Sequence, residues 1–197
     1  MNIKTLNRAL CLGIAAALVL PAATTAAAPP QPSEQDQAWS FLHQPATGLV
    51  QAVREAASKY QDVNIAMNDG YGPDANGCVS SPDEGAMGVH YVKGSLLFDG
   101  AVDAAHPEAL VYEPLPFGGL QLVAVEYITF AEDFWDPMHT DGSPAKLMGQ
   151  VFDYMGAPNR FRLPALYGLH VWAWKYNPKG VFSMWNPRVS CADYTES

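Results

Sequence analysis

The chain has 197 residues, with 20 acidic side chains against 11 basic ones and a formal net charge of −9. This excess of negative charge repels phosphate backbones and anionic lipid surfaces, so it argues against a nucleic-acid partner and against binding to a membrane surface. The length is typical of one domain with a hydrophobic core of its own.

The first 27 residues have the three parts of a cleavable signal peptide. Lys4 and Arg8 supply the positive charge, and Ala9–Leu20 form an apolar run that is shorter than the roughly 20 residues needed to span a bilayer. Thr25 and Ala27 are small residues that suit cleavage after Ala27. We therefore expect a periplasmic or secreted protein that has no membrane anchor after processing.

The predicted mature chain is more acidic than the precursor. Removal of the leader leaves 9 basic residues against 20 acidic ones, a net charge of −11. Residues 28–38 are polar and proline-rich and are predicted to form a flexible linker, and residues 39–197 a single globular domain. The mature chain keeps Cys78 and Cys191, which we expect to form one disulfide in an oxidising compartment, with two free thiols as the alternative.

An apolar stripe predicts one long helix between Thr47 and Gly70. Its members follow an alternating four- and three-residue spacing and are Leu49, Val53, Ala56, Tyr60, Val63 and Met67. Thr47 is a suitable N-cap and Gly70 a suitable C-terminal stop. We interpret the stripe as the face of the helix that contacts the core.

The remainder of the chain has the character of short strands and loops. Residues 71–88 are dense in Gly, Pro, Asn, Asp and Ser and are predicted to be a loop, as is the long segment 131–166. The predicted strands are Val89–Val92, Ala109–Glu113, Leu120–Phe130 and Tyr167–Tyr176, with a shorter candidate at Val181–Trp185. The second and third should form a hairpin through Gly118 and Gly119.

These elements predict an α+β fold in which the long N-terminal helix packs on an antiparallel β-sheet, with one disulfide. Curling of the sheet toward a barrel is an open alternative. The sequence contains none of the familiar catalytic motifs, among them G-x-S-x-G, H-E-x-x-H and the phosphate-binding glycine loops. No reaction is therefore assigned from motifs.

Four polar side chains interrupt the apolar strands: His90, Glu113, Glu126 and His170. A carboxylate among aliphatic residues is costly to bury unless it has a partner. Two imidazoles and two carboxylates from neighbouring strands would suit a divalent metal such as zinc, iron, manganese or copper. We therefore predict a metal or small-ligand site made from these four residues.

A simpler interpretation remains open for each of the four. A histidine in a half-buried strand usually only hydrogen-bonds a neighbour, and a buried glutamate can be satisfied by an arginine or by backbone N–H groups. Glu113 comes directly before a proline at a strand end, where it can simply be solvated. His106, in a polar turn, is expected to be a surface residue, whereas His139, in the long loop, could border a pocket.

Trp172 and Trp174 alternate along the last predicted strand and suggest a second kind of site. On an exposed face, two such rings would stack a carbohydrate or an aromatic ligand. The opposite face of that strand is also apolar, so burial of the aromatic rings in the core is the favoured interpretation.

The motifs DGY, GVHYV, PEALVYEP, LVAVEY and LHVWAWKYNPKGVFSMWNPRVSC follow one another in this order. In this respect the chain resembles a group of uncharacterised small secreted bacterial proteins. The resemblance runs from about Tyr60 to Cys191, and the tryptophan-rich stretch is its most distinctive part. It implies export and a shared fold, and it transfers no catalytic residue.

The sequence is therefore compatible with three functions. The first is an exported protein that binds a metal ion or a small polar molecule through His90, Glu126 and His170, with Glu113 as a further member. The second is a non-catalytic module that binds a carbohydrate or an aromatic ligand through the tryptophan-rich strand. The third is a structural or interaction protein of the cell envelope, in which the two histidines serve only folding.

Overall fold

The structure is a computed structural model that describes residues 33–43, 47–131 and 144–195. These residues belong to one compact unit. The predicted signal peptide, residues 28–32 of the predicted linker and His139 lie outside the described residues. The prediction of a flexible linker is wrong for residues 34–38, which are helical. Among the residues that are described, no helix has both the length and the apolar character needed to cross a membrane.

The helices are short. They are α1 (Glu34–His43), α2 (Gly48–Ala57), α3 (Val63–Asn68) and α4 (Gly94–Leu97), and a 3-10 turn over Ser58–Gln61 joins α2 to α3. Helix α2 begins as predicted, because the Thr47 hydroxyl accepts a hydrogen bond from the backbone N–H of Val50 at 3.4 Å.

The prediction of one long helix from Thr47 to Gly70 is wrong. The chain leaves the helical conformation at Asp62, where the backbone is extended (φ −93°, ψ 110°). The carboxylate of Asp62 accepts a hydrogen bond from the N–H of Asn64 at 2.9 Å and so caps a new helix. The apolar spacing continues across this break because the 3-10 turn still directs Tyr60 into the core.

The fold is built on an antiparallel sheet with the curl of a half-barrel. Its six strands lie in the order β1-β2-β3-β4-β8-β7, and β5 and β6 form a separate two-stranded hairpin. The bounds are β1 Gly72–Ser81, β2 Gly85–Val92, β3 Ala109–Pro114, β4 Leu120–Phe130, β5 Lys146–Leu147, β6 Gln150–Val151, β7 Asp153–Met155 and β8 Leu166–Val171. The predicted hairpin is confirmed, since β3 and β4 pair and Gly118 and Gly119 both have positive φ.

Several loop and strand predictions are corrected. Strand β1 lies in the segment 71–88, for which the sequence predicts a loop, and β5, β6 and β7 lie in the segment 131–166. The last strand ends at Val171 rather than Tyr176, and residues 181–185 form turns instead of a strand. Strand β1 is an edge strand with two irregularities in its pairing, a position where Gly, Pro and Asn are tolerated.

The two faces of the sheet have different coverings. One face carries Leu110, Tyr112 and Tyr127 and packs on Leu49 and Val53 of α2 in the largest apolar cluster. We call this the helix-side face. The opposite face carries two smaller clusters, which are Ala86, Val111, Val123, Ala124, Trp172 and Val189, and Leu97, Ala109, Ile128, Phe130 and Leu166. We call it the site face, because it also carries His90, Glu126 and His170.

The predicted disulfide is confirmed. Cys78 of β1 is bonded to Cys191, with an S–S distance of 2.01 Å, and the two residues are 113 positions apart in the chain. It ties the C-terminal segment to the edge strand of the sheet. Closing a loop of this length restricts the unfolded chain, an effect worth about 4–5 kcal/mol in chain-entropy models.

Candidate metal centre

The pairing of the strands brings His90, Glu126 and His170 together on the site face. Glu126 of β4 lies directly opposite His170 of β8. On its other side Glu126 lies opposite Ala109 of β3. His90 of β2 lies opposite Val111, two residues along β3 from Ala109. Paired residues point to the same face of a sheet, and so do residues two positions apart on one strand. Because Ala109 has only a methyl group, the longer side chains of His90 and Glu126 meet diagonally across β3.

The three side chains lie close enough to hold a metal ion. One potential ligand atom from each residue lies within 4.8 Å of the other two. The separation is 3.3 Å from His90 Nε2 to Glu126 Oε2, and 3.7 Å from His170 Nδ1 to Glu126 Oε1. Metal–ligand bonds of about 2.0–2.2 Å place neighbouring ligand atoms roughly 3–3.5 Å apart. The distances from Glu126 to the two imidazoles would therefore need little adjustment to hold a metal ion.

Three of the four imidazole nitrogens of this cluster are buried without a hydrogen bond among the described residues. His90 is 4 % exposed and His170 is 2 % exposed. The three atoms are both nitrogens of His90 and Nε2 of His170, and the oxygen that His90 Nε2 approaches is Glu126 Oε2, at 3.3 Å. A buried polar atom without a partner costs about 1–3 kcal/mol, so three of them are an unusual expense at one place.

The protonation states favoured here are those that bind metals. Burial alone would raise the pKa of Glu126, but the attraction of His170 and His90 outweighs it and holds the pKa below its usual value. Burial lowers the pKa of His170, and Glu126 offsets only part of that effect. Near neutral pH the cluster therefore offers a charged carboxylate and a neutral imidazole, which are the forms that coordinate a metal.

Glu113 does not belong to this cluster. It lies near the far end of β3, where its carboxylate binds Lys175 Nζ at 2.5 Å and accepts a hydrogen bond from the N–H of Ser190 at 3.1 Å. These two contacts fix the C-terminal segment against the sheet. The Glu113 carboxylate is therefore a structural partner of Lys175. Of the four residues predicted to form the site, the structure brings three together, and Glu113 is the exception.

The two tryptophans do not form an exposed row. The chain leaves the sheet after Val171, and Trp172 is completely buried with its Nε1–H donating to the carbonyl of Ser183 at 2.6 Å. Its ring stacks on His170, with 6.0 Å between centroids and an angle of 17°. Trp174 packs instead against the helix-side cluster. In this structure the ring of Trp172 supports His170 and has no face open to a ligand.

Glu108 is a buried acid that sequence reasoning did not single out. It is 1 % exposed, and its Oε2 accepts a hydrogen bond from the N–H of Ile128 at 3.0 Å. Burial, reinforced by the nearby charges of Asp99 and Glu126, raises the pKa of Glu108 to about 8. In the sequence Glu108 follows Pro107 and comes directly before the apolar run of β3. This pattern is typical of a solvated residue at a strand end, so the sequence did not indicate its burial.

Gly168 is a second residue that sequence reasoning missed. A Cβ atom at this position would lie 3.0 Å from Glu126 Oε1. The φ angle of Gly168 is not in the left-handed region, so backbone conformation does not require a glycine here. The glycine is therefore explained by the space that the Glu126 carboxylate occupies. A lone glycine inside an apolar strand is the signal that could have indicated a close approach of this kind.

A pocket of about 130 Å³ opens onto the cluster. His90 and Glu126 line it, together with Asp74 and with apolar side chains from the sheet and from the segment that precedes β8. The ring of Phe161 lies 6.5 Å from that of His90, centroid to centroid, at an angle of 65°. The cluster is thus reached through an apolar chamber.

Comparison of the chain with protein-family models, with curated proteins and with solved structures gave no match.

Proposed function

We propose that this is an exported protein that binds a divalent transition metal through His90, Glu126 and His170. The observation that carries the proposal is the set of three buried imidazole nitrogens without hydrogen bonds beside a buried carboxylate. A bound cation would satisfy the nitrogens that face it and would balance the charge of Glu126. The signal-peptide pattern supports export, and the disulfide is consistent with an oxidising compartment.

The donor set restricts the class of metal. Calcium and magnesium prefer oxygen ligands, so two imidazoles argue against them. Two imidazoles and one carboxylate suit zinc, iron, manganese or copper, and the same set occurs in zinc hydrolases and in non-haem iron centres. Among divalent ions of the first transition row, affinity at such a site generally rises toward copper, with zinc below it.

Within the part of the chain that the structure describes, the cluster has three protein ligands, a number that favours an exchangeable centre. Structural zinc sites are usually closed by four protein ligands, whereas catalytic sites keep a position for water or substrate. Here the open positions would face the pocket, because His90 and Glu126 both line it. A metal held in this way could act as a Lewis acid or lower the pKa of a bound water.

Metal analysis tests the proposal directly. The mature protein, purified without chelator or affinity-tag histidines, is reconstituted separately with zinc, iron, manganese and copper and then dialysed. We expect about one tightly held metal ion per chain for at least one of the four. The double variant His90→Ala/His170→Ala should lose it while its circular dichroism shows a folded sheet.

His106→Ala is the matched control, because His106 is an exposed histidine that forms an ion pair with Asp103. It should keep the metal. If the wild-type protein holds none of the four metals, the proposal is wrong. The envelope-protein alternative predicts the same negative result, with destabilisation as the only effect of the histidine substitutions.

A further inference from the structure

The pocket beside the metal cluster is narrow and mostly apolar. Its walls come from β2, β4, α4, β7 and the segment that leads into β8, and they include Val92, Leu97, Ile128, Met155, Phe161 and Leu163. His90 and Glu126 are the polar groups on the metal side, and both are strongly buried. A ligand in this pocket would therefore meet hydrocarbon along its length and the metal at one end.

The volume limits the size of that ligand. An apolar protein cavity of about 150 Å³ holds one benzene molecule, and this pocket has about 130 Å³ with an opening to solvent. A phenyl ring or a branched chain of four or five carbons is of the right size. Sugars and nucleotides are too large and would leave their hydroxyl or phosphate groups against hydrocarbon without hydrogen bonds.

Charge limits the polar end of the ligand. A divalent metal and the Glu126 carboxylate together carry one net positive charge, so a single anionic group on the metal would neutralise the buried end. The third titratable residue of the lining is Asp74, whose carboxylate already accepts a hydrogen bond from Asn76 Nδ2 at 2.6 Å. A second acidic group on the ligand would meet Asp74 or bare hydrocarbon, and both are unfavourable.

We infer that the ligand of this site is a small monocarboxylate with a hydrocarbon body of about benzene size, which coordinates the metal through its carboxylate. This inference rests on the proposed metal centre. The apolar walls favour a hydrocarbon body, and the net positive charge of the metal with Glu126 favours a single carboxylate.

The test uses benzoate as the probe and zinc as the metal. Zinc content is measured first by elemental analysis, and binding to the zinc-loaded and metal-free protein is then followed by isothermal titration calorimetry. We expect benzoate to bind the zinc form at least about tenfold more tightly than the metal-free form. Benzoate should also bind at least about tenfold more tightly than acetate, which has the same charge but is too small to contact the apolar walls of the pocket.

Terephthalate, which adds a second carboxylate to the same ring, should bind at least about tenfold more weakly than benzoate. Leu163→Trp fills the pocket from a position outside the metal cluster and should abolish benzoate binding while zinc is retained. Leu115→Trp is the matched control, because Leu115 lies in the turn between β3 and β4, and it should leave benzoate binding unchanged.

The results separate this inference from the proposed function. If zinc is retained but benzoate binds no more tightly than acetate, or binds Leu163→Trp as well as the wild type, the inference is wrong and the metal centre stands. If the reconstituted wild-type protein holds none of the four metals, both are overturned. If it holds one of the others but no zinc, that metal replaces zinc in the same titrations, with the same expected results.

Discussion

The two faces of the sheet are similarly buried but differ in how their polar atoms are satisfied. On the helix-side face the hydroxyls of Tyr71, Tyr112 and Tyr127 each donate to a backbone carbonyl, at 2.7–2.8 Å. On the site face three imidazole nitrogens have no hydrogen-bond partner among the described residues. The fold therefore can satisfy buried polar groups, and in the described residues the buried side-chain atoms without a hydrogen bond all belong to these two histidines.

The comparison separates two tasks of the sheet. The helix-side face holds the largest apolar cluster and stabilises the fold. The site face also buries three imidazole nitrogens without hydrogen bonds, and in the proposed function a bound metal ion would satisfy those that face it. Substitutions on the first face should mainly change stability, and substitutions on the second should mainly change binding.

Leu110→Ala should give the largest loss of stability. Leu110 is completely buried in the helix-side cluster, so its truncation removes buried apolar area and leaves a cavity. We expect the free energy of unfolding, measured with urea, to fall by about 2–5 kcal/mol. Zinc binding by the folded variant should be unchanged, and a folded variant without zinc would contradict the division of tasks.

Glu108→Gln should change how stability depends on pH. Because the folded pKa of about 8 lies above the unfolded one, the native state binds this proton more tightly. Its contribution to stability is complete below about pH 4 and is lost as the pH rises to about 8, by up to about 4 kcal/mol.

The variant lacks this titration, so the difference in unfolding free energy between wild type and variant should move in favour of the variant from pH 5 to pH 8. Urea titrations of the metal-free proteins at several pH values measure this difference. A difference that is constant across the range would show that Glu108 is not protonated in the native state.

Substitutions of single polar groups should differ in size between the two faces. Tyr112→Phe removes the donor to the Tyr60 carbonyl and should destabilise the metal-free protein by about 1–2 kcal/mol. His90→Phe removes two nitrogens that have no hydrogen bond, which is favourable, but also a group that attracts the Glu126 carboxylate, so it should change the stability of the metal-free protein by less than about 1 kcal/mol. Thermal and urea unfolding measure both, and destabilisation of similar size by the two variants would remove the distinction between the faces.

Gly168→Ala should have the smallest effect on stability, below about 1 kcal/mol, with a selective effect on the metal. The added methyl group would press on Glu126 Oε1 and displace the carboxylate. We expect metal affinity to fall by about tenfold, as it does for other residues that position ligands. Gly72→Ala is the matched control in β1, since a methyl group added there would have no neighbouring atom within 4 Å. Both affinities are measured by competition with a chelating dye.

The sequence predicts which residues carry the site better than it predicts where they meet. His90, Glu126 and His170 stand out because each interrupts an apolar strand. Glu113 shows the same signal, and only the structure reveals that Lys175 occupies it. Convergence depends on the order of the strands and on the small side chain of Ala109, and neither follows from the spacing of the three residues.

The errors in the predicted fold have a common physical cause. Asp62 ends the predicted long helix because its side chain caps the next helix. An aspartate at this position would equally suit the exposed surface of one continuous helix. Strand β1 has the composition of a loop because an edge strand with irregular pairing needs few apolar residues. In both cases the local sequence permits two conformations, and the rest of the fold decides between them.

The stacking of Trp172 on His170 gives the protein a built-in optical reporter. The indole lies 6.0 Å, centroid to centroid, from an imidazole of the proposed metal centre, which is within range for quenching by a paramagnetic ion. Copper or cobalt entering the site should darken this tryptophan, whereas zinc, with its filled d shell, should leave its emission intensity largely unchanged. The same residue that stiffens the site would thus let its occupancy be followed by fluorescence, without a label.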